Sequence, residues 1–338
     1  MYSLNSFRVE AGYSHVFYPR LSLVLRWFFG WLPFSLGDLL YGGVILWLGW
    51  RLVKFLKKLA GRQLTLAGTL KNGYGLLTGF LVLYIVFNLL WGINYNRVGI
   101  ARQLDLKMEK YSRADLEQIN SLLLEKVNAA KTALLRKNEP YPANTVLFNK
   151  VQAAYQRCDS LYPFLHYRPP SIKSSLWGWA GNYLGFTGYY NPFTGEAQVN
   201  TTVPKFLQPY VGCHEVAHQL GYAREMEANF VGYLAARSSA DTIFQYSVYL
   251  DVFIYSNRNL FIVDSSAARQ YAARLLPEIK QDLQEWRRFN LRHRNPIEPV
   301  FRWLYGKYLQ SNEQPQGVLA YDEVTGFLIA FYKKFGYI

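Results

Sequence analysis

Between Gly73 and Ile93 the chain reads "GYGLLTGFLVLYIVFNLLWGI", twenty-one residues without a charge. At about 1.5 Å rise per residue a helix of that length covers about 30 Å, the thickness of a bilayer's hydrocarbon core. We expect a transmembrane helix at about 73–93. The earlier run "DLLYGGVILWLGWRLVKFLKK" opens on Asp38 and carries Arg51 and Lys54 near its end. Long basic side chains there can snorkel to the headgroups, so a first span is expected at about 39–55. "LSLVLRWFFGWLPFSLG" is short and contains Arg26, Gly30 and Pro33, which suits an interfacial or re-entrant segment at about 21–37. These pieces form an expected membrane region, residues 1–93.

Arg51, Lys54, Lys57, Lys58, Arg62 and Lys71 fall in the stretch connecting the spans, with no acidic residue among them. The positive-inside rule puts that connector in the cytoplasm. The expectation is an inner (cytoplasmic) membrane protein, multi-pass, with residues 94–338 on the periplasmic side. No cleavable signal peptide is evident, so the first span serves as signal and anchor together. The net charge of +14 does not gather into one aromatic-laced patch, so membrane lipid is expected as the partner and nucleic acid is not. Cys158 and Cys213 lack the spacing of a disulfide scaffold or redox motif.

After residue 94 the pattern becomes that of a mainly α domain. Ser112 and Asp115 stand in capping-box arrangement before apolar residues at helical spacing, Ile119, Leu122, Leu123, Val127 and Ala130. "TVLFNKVQAAYQRCDSLY" reads as a second helix. The Asn-Pro and Thr-Gly turn signals in "GFTGYYNPFTGEAQVN", Gly185 to Asn200, point to a small β-hairpin or sheet, and helical character resumes after residue 205.

The chemistry gathers at 214–229, "HEVAHQLGYAREMEAN". Residues four apart share a helix face, so His214 and His218 can point two imidazoles at one ion while Glu215 lies alongside to reach a water on it. This is HExxH, whose glutamate is the general base of zinc hydrolases. An accidental match in a chain with five histidines is on the order of one in several hundred from composition. Gly221 allows a left-handed turn, after which "REMEANFVGYLAA" restarts as helix. Glu225 and Asn229 stand in the i, i+4 relation that resembles the thermolysin-like metallopeptidases, where a glutamate on the following helix is the third ligand and the later residue bonds a ligating histidine. Glu225 is the expected third ligand, Glu227 its rival on another face, and Asn229 the expected partner of a histidine. The seven-residue step from His218 to Glu225 resembles the compact HExxHxxGxxH arrangement, but its sixth-residue position is Arg224, which cannot ligate a metal.

"GWLPFSLGDLLYG", "HEVAHQLGYAREMEANFVGYLAA" and the late "YLQSNEQPQGVLAYDEV" together resemble the bacterial membrane proteins grouped as domain of unknown function, family 3810. The resemblance covers nearly the whole chain and implies a membrane-anchored, zincin-like metallopeptidase of Gram-negative bacteria, with no substrate implied. The expected activity is peptide-bond hydrolysis with Zn2+ as cofactor and a peptide or protein as substrate. The competing class is a non-hydrolytic zinc-binding membrane scaffold, which would need a closed, four-ligand site. Tyr222 and Tyr321 are candidate transition-state stabilisers. Tyr189, Tyr190, Gln198 and Asn200 are candidate substrate-binding residues on the hairpin, whose backbone would pair with an extended peptide. His166 and His293 are isolated and read as surface or packed histidines.

Overall fold

A computed structural model describes residues 5–311 and 323–338. The protein is mainly helical, with one small sheet. Tyr18–Phe29 forms α1, preceded by a π-helical stretch, Val9–Phe17. Two 25-residue helices come next, α2 (Leu36–Ala60) and α3 (Leu66–Leu90), both long and apolar enough to cross a membrane. Each begins at a hydroxyl cap: Ser35 Oγ accepts from the Asp38 N–H and Thr65 Oγ1 from the Gly68 N–H. Both helices outrun the expected spans, because the lysines after Phe55 and the residues around Lys71 continue the helix. At the other end α3 stops at Leu90, short of Ile93. Trp91 leaves the helical conformation, and the chain enters a 3-10 turn, Gly92–Asn96.

The expected segment 21–37 comprises most of α1, a turn, and the start of α2. One face of α1 carries Tyr18, Ser22 and Arg26, all buried; the other exposes Leu23, Val24, Trp27 and Phe28. Residues Val9 to Arg26 precede both long helices in sequence, yet they pack against the chain beyond those helices. The Glu10 carboxylate accepts from the Arg97 guanidinium at 2.7 Å and from the Val98 N–H at 2.9 Å, and Tyr18 Oη donates to the Gln219 carbonyl at 2.8 Å.

The remaining helices are α4 (Arg113–Lys137), α5 (Asn144–Leu161), α6 (Gly178–Leu184), α7 (Gln208–Gln219), α8 (Glu225–Ser238), α9 (Thr242–Val263), α10 (Ser265–Ala273), α11 (Pro277–Arg292), α12 (Glu298–Ser311) and α13 (Val324–Phe335). The capping box expected at Ser112 and Asp115 is present, and Leu116, Ile119, Leu123 and Val127 face the core. The core wraps α7 and α8, whose side chains are buried almost all round. Gly232 lets these two helices touch: a Cβ there would stand 3.1 Å from the His214 backbone.

The sheet has order β1-β3-β2. The expected hairpin is β2 (Gly188–Asn191) antiparallel to β3 (Glu196–Val199), with Gly188 opposite Val199. A third strand, β1 (Ile172–Ser174), runs parallel to β3 on its other side. This leaves β3 buried and central, and β2 as an edge strand against α7.

Candidate metal centre

The site begins with helix period. His214 and His218 sit one turn apart on α7, with ring centroids 4.7 Å apart. The helix ends at Gln219, and Gly221 takes φ +89°, a region that would strain any side chain and that reverses the chain in few residues. Helix α8 then starts at Glu225, where the unsatisfied N–H groups of a helix N-terminus favour a carboxylate. Its Oε2 lies 3.3 Å from His214 Nε2 and 3.5 Å from His218 Nε2. Donors at about 2.0–2.1 Å from a tetrahedral zinc lie about 3.3–3.4 Å from one another, close to both of these distances, and one donor atom from each of the three residues lies within 4.8 Å of the others. Among the described residues no fourth His, Cys, Asp or Glu joins them. Cys213, next to His214, is turned into the core.

His218 Nδ1 bonds the Tyr222 carbonyl at 2.8 Å, which directs Nε2 toward Glu225. Asn229, one turn along α8 from Glu225, stands near His214, whose Nδ1 has no hydrogen-bond partner among the described residues. Burial lowers the His214 pKa. For His218 burial acts the same way, but the Glu225 carboxylate outweighs it and lifts the pKa to about 9. Glu225 is driven well below the usual carboxylate range: burial opposes this, and the two histidines overcome it. Burial, reinforced by repulsion from Glu225, pushes Glu215 up to about 8 despite the nearby His218. Glu215 is 3% exposed, and its Oε2 has no hydrogen-bond partner among the described residues. A buried carboxylate oxygen left open costs free energy unless a ligand or water uses it.

The rival Glu227 faces elsewhere. It lies beside Gly99 and within electrostatic reach of Arg97 and Arg224. The Tyr222 hydroxyl donates to Gln103 at 2.6 Å and its ring lies under Arg97, so only its backbone carbonyl serves the cluster. Tyr321 lies outside the described residues. On the hairpin, Tyr189 Oη bonds Asp38 of α2 and Ser175, while Tyr190 Oη meets Tyr18 Oη at 3.2 Å. The Gln198 amide pairs with Ser35, and Asn200 Nδ2 donates to Gly178 and Asn182; both residues are fully buried. These four side chains are committed to internal bonds. The hairpin's contact with the HExxH helix is instead Gly188, where an added Cβ would come within 2.5 Å of Glu215 Oε1. His166 is exposed and bonded to Asp159, and His293 packs on Phe289.

Three site neighbours escaped sequence reasoning. Tyr305 of α12 donates its hydroxyl to Glu225 Oε1 at 2.7 Å, and Tyr308, one turn later, meets Tyr95 Oη at 3.3 Å. The i, i+3 tyrosine pair was visible in "YGKYL", but among 27 tyrosines it carried no distinguishing mark. Trp91 is the third. Its indole N–H donates to the His218 carbonyl at 3.0 Å.

The family described as "Protein of unknown function (DUF3810)" matches residues 13–329, and the chain belongs to it. No curated protein and no solved structure matches the chain.

Proposed function

For this member of the family, we propose a membrane-anchored zinc-dependent peptidase. The observation that carries the reading is the donor spacing of His214, His218 and Glu225 with Glu215 beside them, buried and open at Oε2. Zinc held by those three residues would supply a Lewis acid to polarise the scissile carbonyl and to lower the pKa of water from about 15.7 toward 7. Glu215 would accept a proton from the attacking water and donate it to the leaving amine. His218 is held by the Tyr222 carbonyl with Nε2 presented to the ion, and Asn229 stands near His214. Tyr305, already at Glu225, is the better placed of the tyrosines to meet charge developing on a carbonyl oxygen. The edge strand β2 lies where an extended peptide could add to the sheet beside Glu215. The three-ligand set found among the described residues favours this reading over a scaffold with structural zinc, whose site would be closed by four.

The two long helices are the anchor in this reading. With the basic connector in the cytoplasm, the site stands on the periplasmic face. Protein purified with zinc, alongside Glu215→Gln, tests the activity against a broad peptide library. We expect about one zinc in both and hydrolysis in the wild type alone. Wild type that holds zinc and cleaves nothing would overturn the peptidase reading.

A further inference from the structure

Both long helices end at the candidate site. At the close of α3, Trp91 donates to the carbonyl of His218, itself a proposed ligand, and its ring lies 6.0 Å from the imidazole. At the start of α2, the Leu36 and Gly37 N–H groups donate to Glu196 of β3, and Asp38 accepts from Tyr189 of β2 and from the Leu176 N–H. The HExxH helix and the sheet are thus bolted to the same end of the helix pair.

Helix α12 lies across that end. Phe301, Tyr305 and Tyr308 form its inner side: Phe301 against Phe186, Tyr305 on Glu225, Tyr308 6.5 Å from Phe87 in the last turn of α3. On the adjoining arc Ile297, Val300, Trp303 and Leu304 are between 54% and 64% exposed. At 100° per residue Arg302 and Gly306 fall away from this arc, while Lys307 falls within it, where a long basic side chain can reach the headgroups. Trp27, Phe28 and Trp31, just before α2, are also exposed. A chain that leaves such side chains uncovered on both sides of two spans is dressed for lipid, with tryptophans at the headgroup level. Each 25-residue helix is about 37 Å long against about 30 Å of hydrocarbon, so only about one turn at most projects beyond the core at each end. The cluster is one side chain farther.

We propose that the substrate of this site is a polypeptide itself anchored in the bilayer, cut within a few residues of the point where it leaves the lipid. The inference rests on the peptidase reading and adds the substrate class to it. An extended chain gains about 3.3 Å per residue, so about three to six residues lead from the hydrocarbon edge to Glu215. A bilayer-bound substrate also meets the site by lateral diffusion, at an effective concentration far above its bulk value. The exposed arc of α12 lies in the lipid and keeps the roof over the cluster at that depth.

The test uses the full chain, zinc-loaded, in vesicles of mixed zwitterionic and anionic phospholipid, with Glu215→Gln as blank. A reporter peptide library is presented either free or fused to a single transmembrane helix through spacers of increasing length. We expect the anchored reporters to be cut at least about tenfold faster than the free ones, with the rate falling steeply once the spacer exceeds about ten residues. Val300→Glu, on the lipid arc of α12, should lower anchored cleavage at least about fivefold without changing zinc content. Equal cleavage of free and anchored peptides, or rates indifferent to spacer length, would overturn the inference while leaving the peptidase standing. Absence of cleavage in every format would overturn both.

Discussion

Gly188→Ala isolates the contribution of the general base without touching a ligand. The new Cβ would lie 2.5 Å from Glu215 Oε1, 2.8 Å from Glu215 Cγ and 2.9 Å from the Gln198 carbonyl oxygen. Ordinary non-bonded separations of about 3.5 Å require the carboxylate to retreat by about 1 Å. The carbonyl belongs to the central, buried β3 and cannot yield, so the Glu215 side chain is what moves. Misplacing a reacting group by about 1 Å costs about a hundredfold in rate, or about 2.7 kcal/mol of barrier. We therefore expect kcat to fall about a hundredfold on a library-selected peptide, with zinc content by mass spectrometry unchanged. In a Glu215→Gln background the alanine should add nothing, because the base it displaces is gone. Retention of activity within about threefold of wild type would refute Glu215 as the base or the hairpin as its wall.

Glu225→Ala should strip zinc from the purified protein while Glu227→Ala retains it, since only Glu225 meets both imidazoles; equal zinc in the two variants refutes the ligand set. Tyr305→Phe removes a hydroxyl bonded to Glu225 and should weaken zinc affinity about tenfold by competition with a chelator; an unchanged affinity places Tyr305 outside the site. Glu10 has its pKa lowered because Arg97 outweighs the burial that acts the other way. A depressed carboxyl pKa contributes stability that is present above the unfolded value near 4.5 and lost as pH falls through the folded one. Glu10→Gln should accordingly lower Tm at neutral pH, and the gap to wild type should close on acidification below pH about 4.5; a gap independent of pH would show that the lash is not electrostatic.

Local periodicity made the HExxH helix and its turn legible in the chain. The helix step of four placed His214 over His218, the glycine at 221 marked the reversal, and the capping box fixed the start of α4. The hairpin's existence was legible from its turn residues. Its role was harder to read, because the exposure of Tyr189, Tyr190 and Gln198 depends on partners in α1, in α2 and at the cap of α2, all distant in sequence. Strand β1 has three residues and no alternation to detect, so only its pairing with β3 reveals it. The reading of 21–37 as interfacial or re-entrant rests on its shortness and on Arg26, Gly30 and Pro33, and nothing local in sequence marks the buried face of α1, where Tyr18 and Ser22 donate to the Gln219 carbonyl. Tyr222 carried a similar ambiguity. Its backbone, not its hydroxyl, is what His218 uses.

The parts that sequence periodicity missed share one location. Trp91, Tyr305 and the α1 face all join the two helices of the candidate metal centre to segments 80 or more residues away, lying at the ends of the two long helices. Trp91 closes α3 at Leu90 and gives its N–H to the His218 carbonyl, so a shift of α3 along its axis pulls on the backbone of His218. Arg97 links the same region to the turn after α7: it donates to the Gly221 carbonyl at 3.1 Å while its guanidinium covers the Tyr222 ring. The Tyr222 carbonyl in turn orients His218. The buried histidine pair is held by residues that flank the apolar helices. The candidate metal centre and the helix pair are therefore one packing unit, with Trp91 standing just outside the last apolar turn and on the His218 backbone.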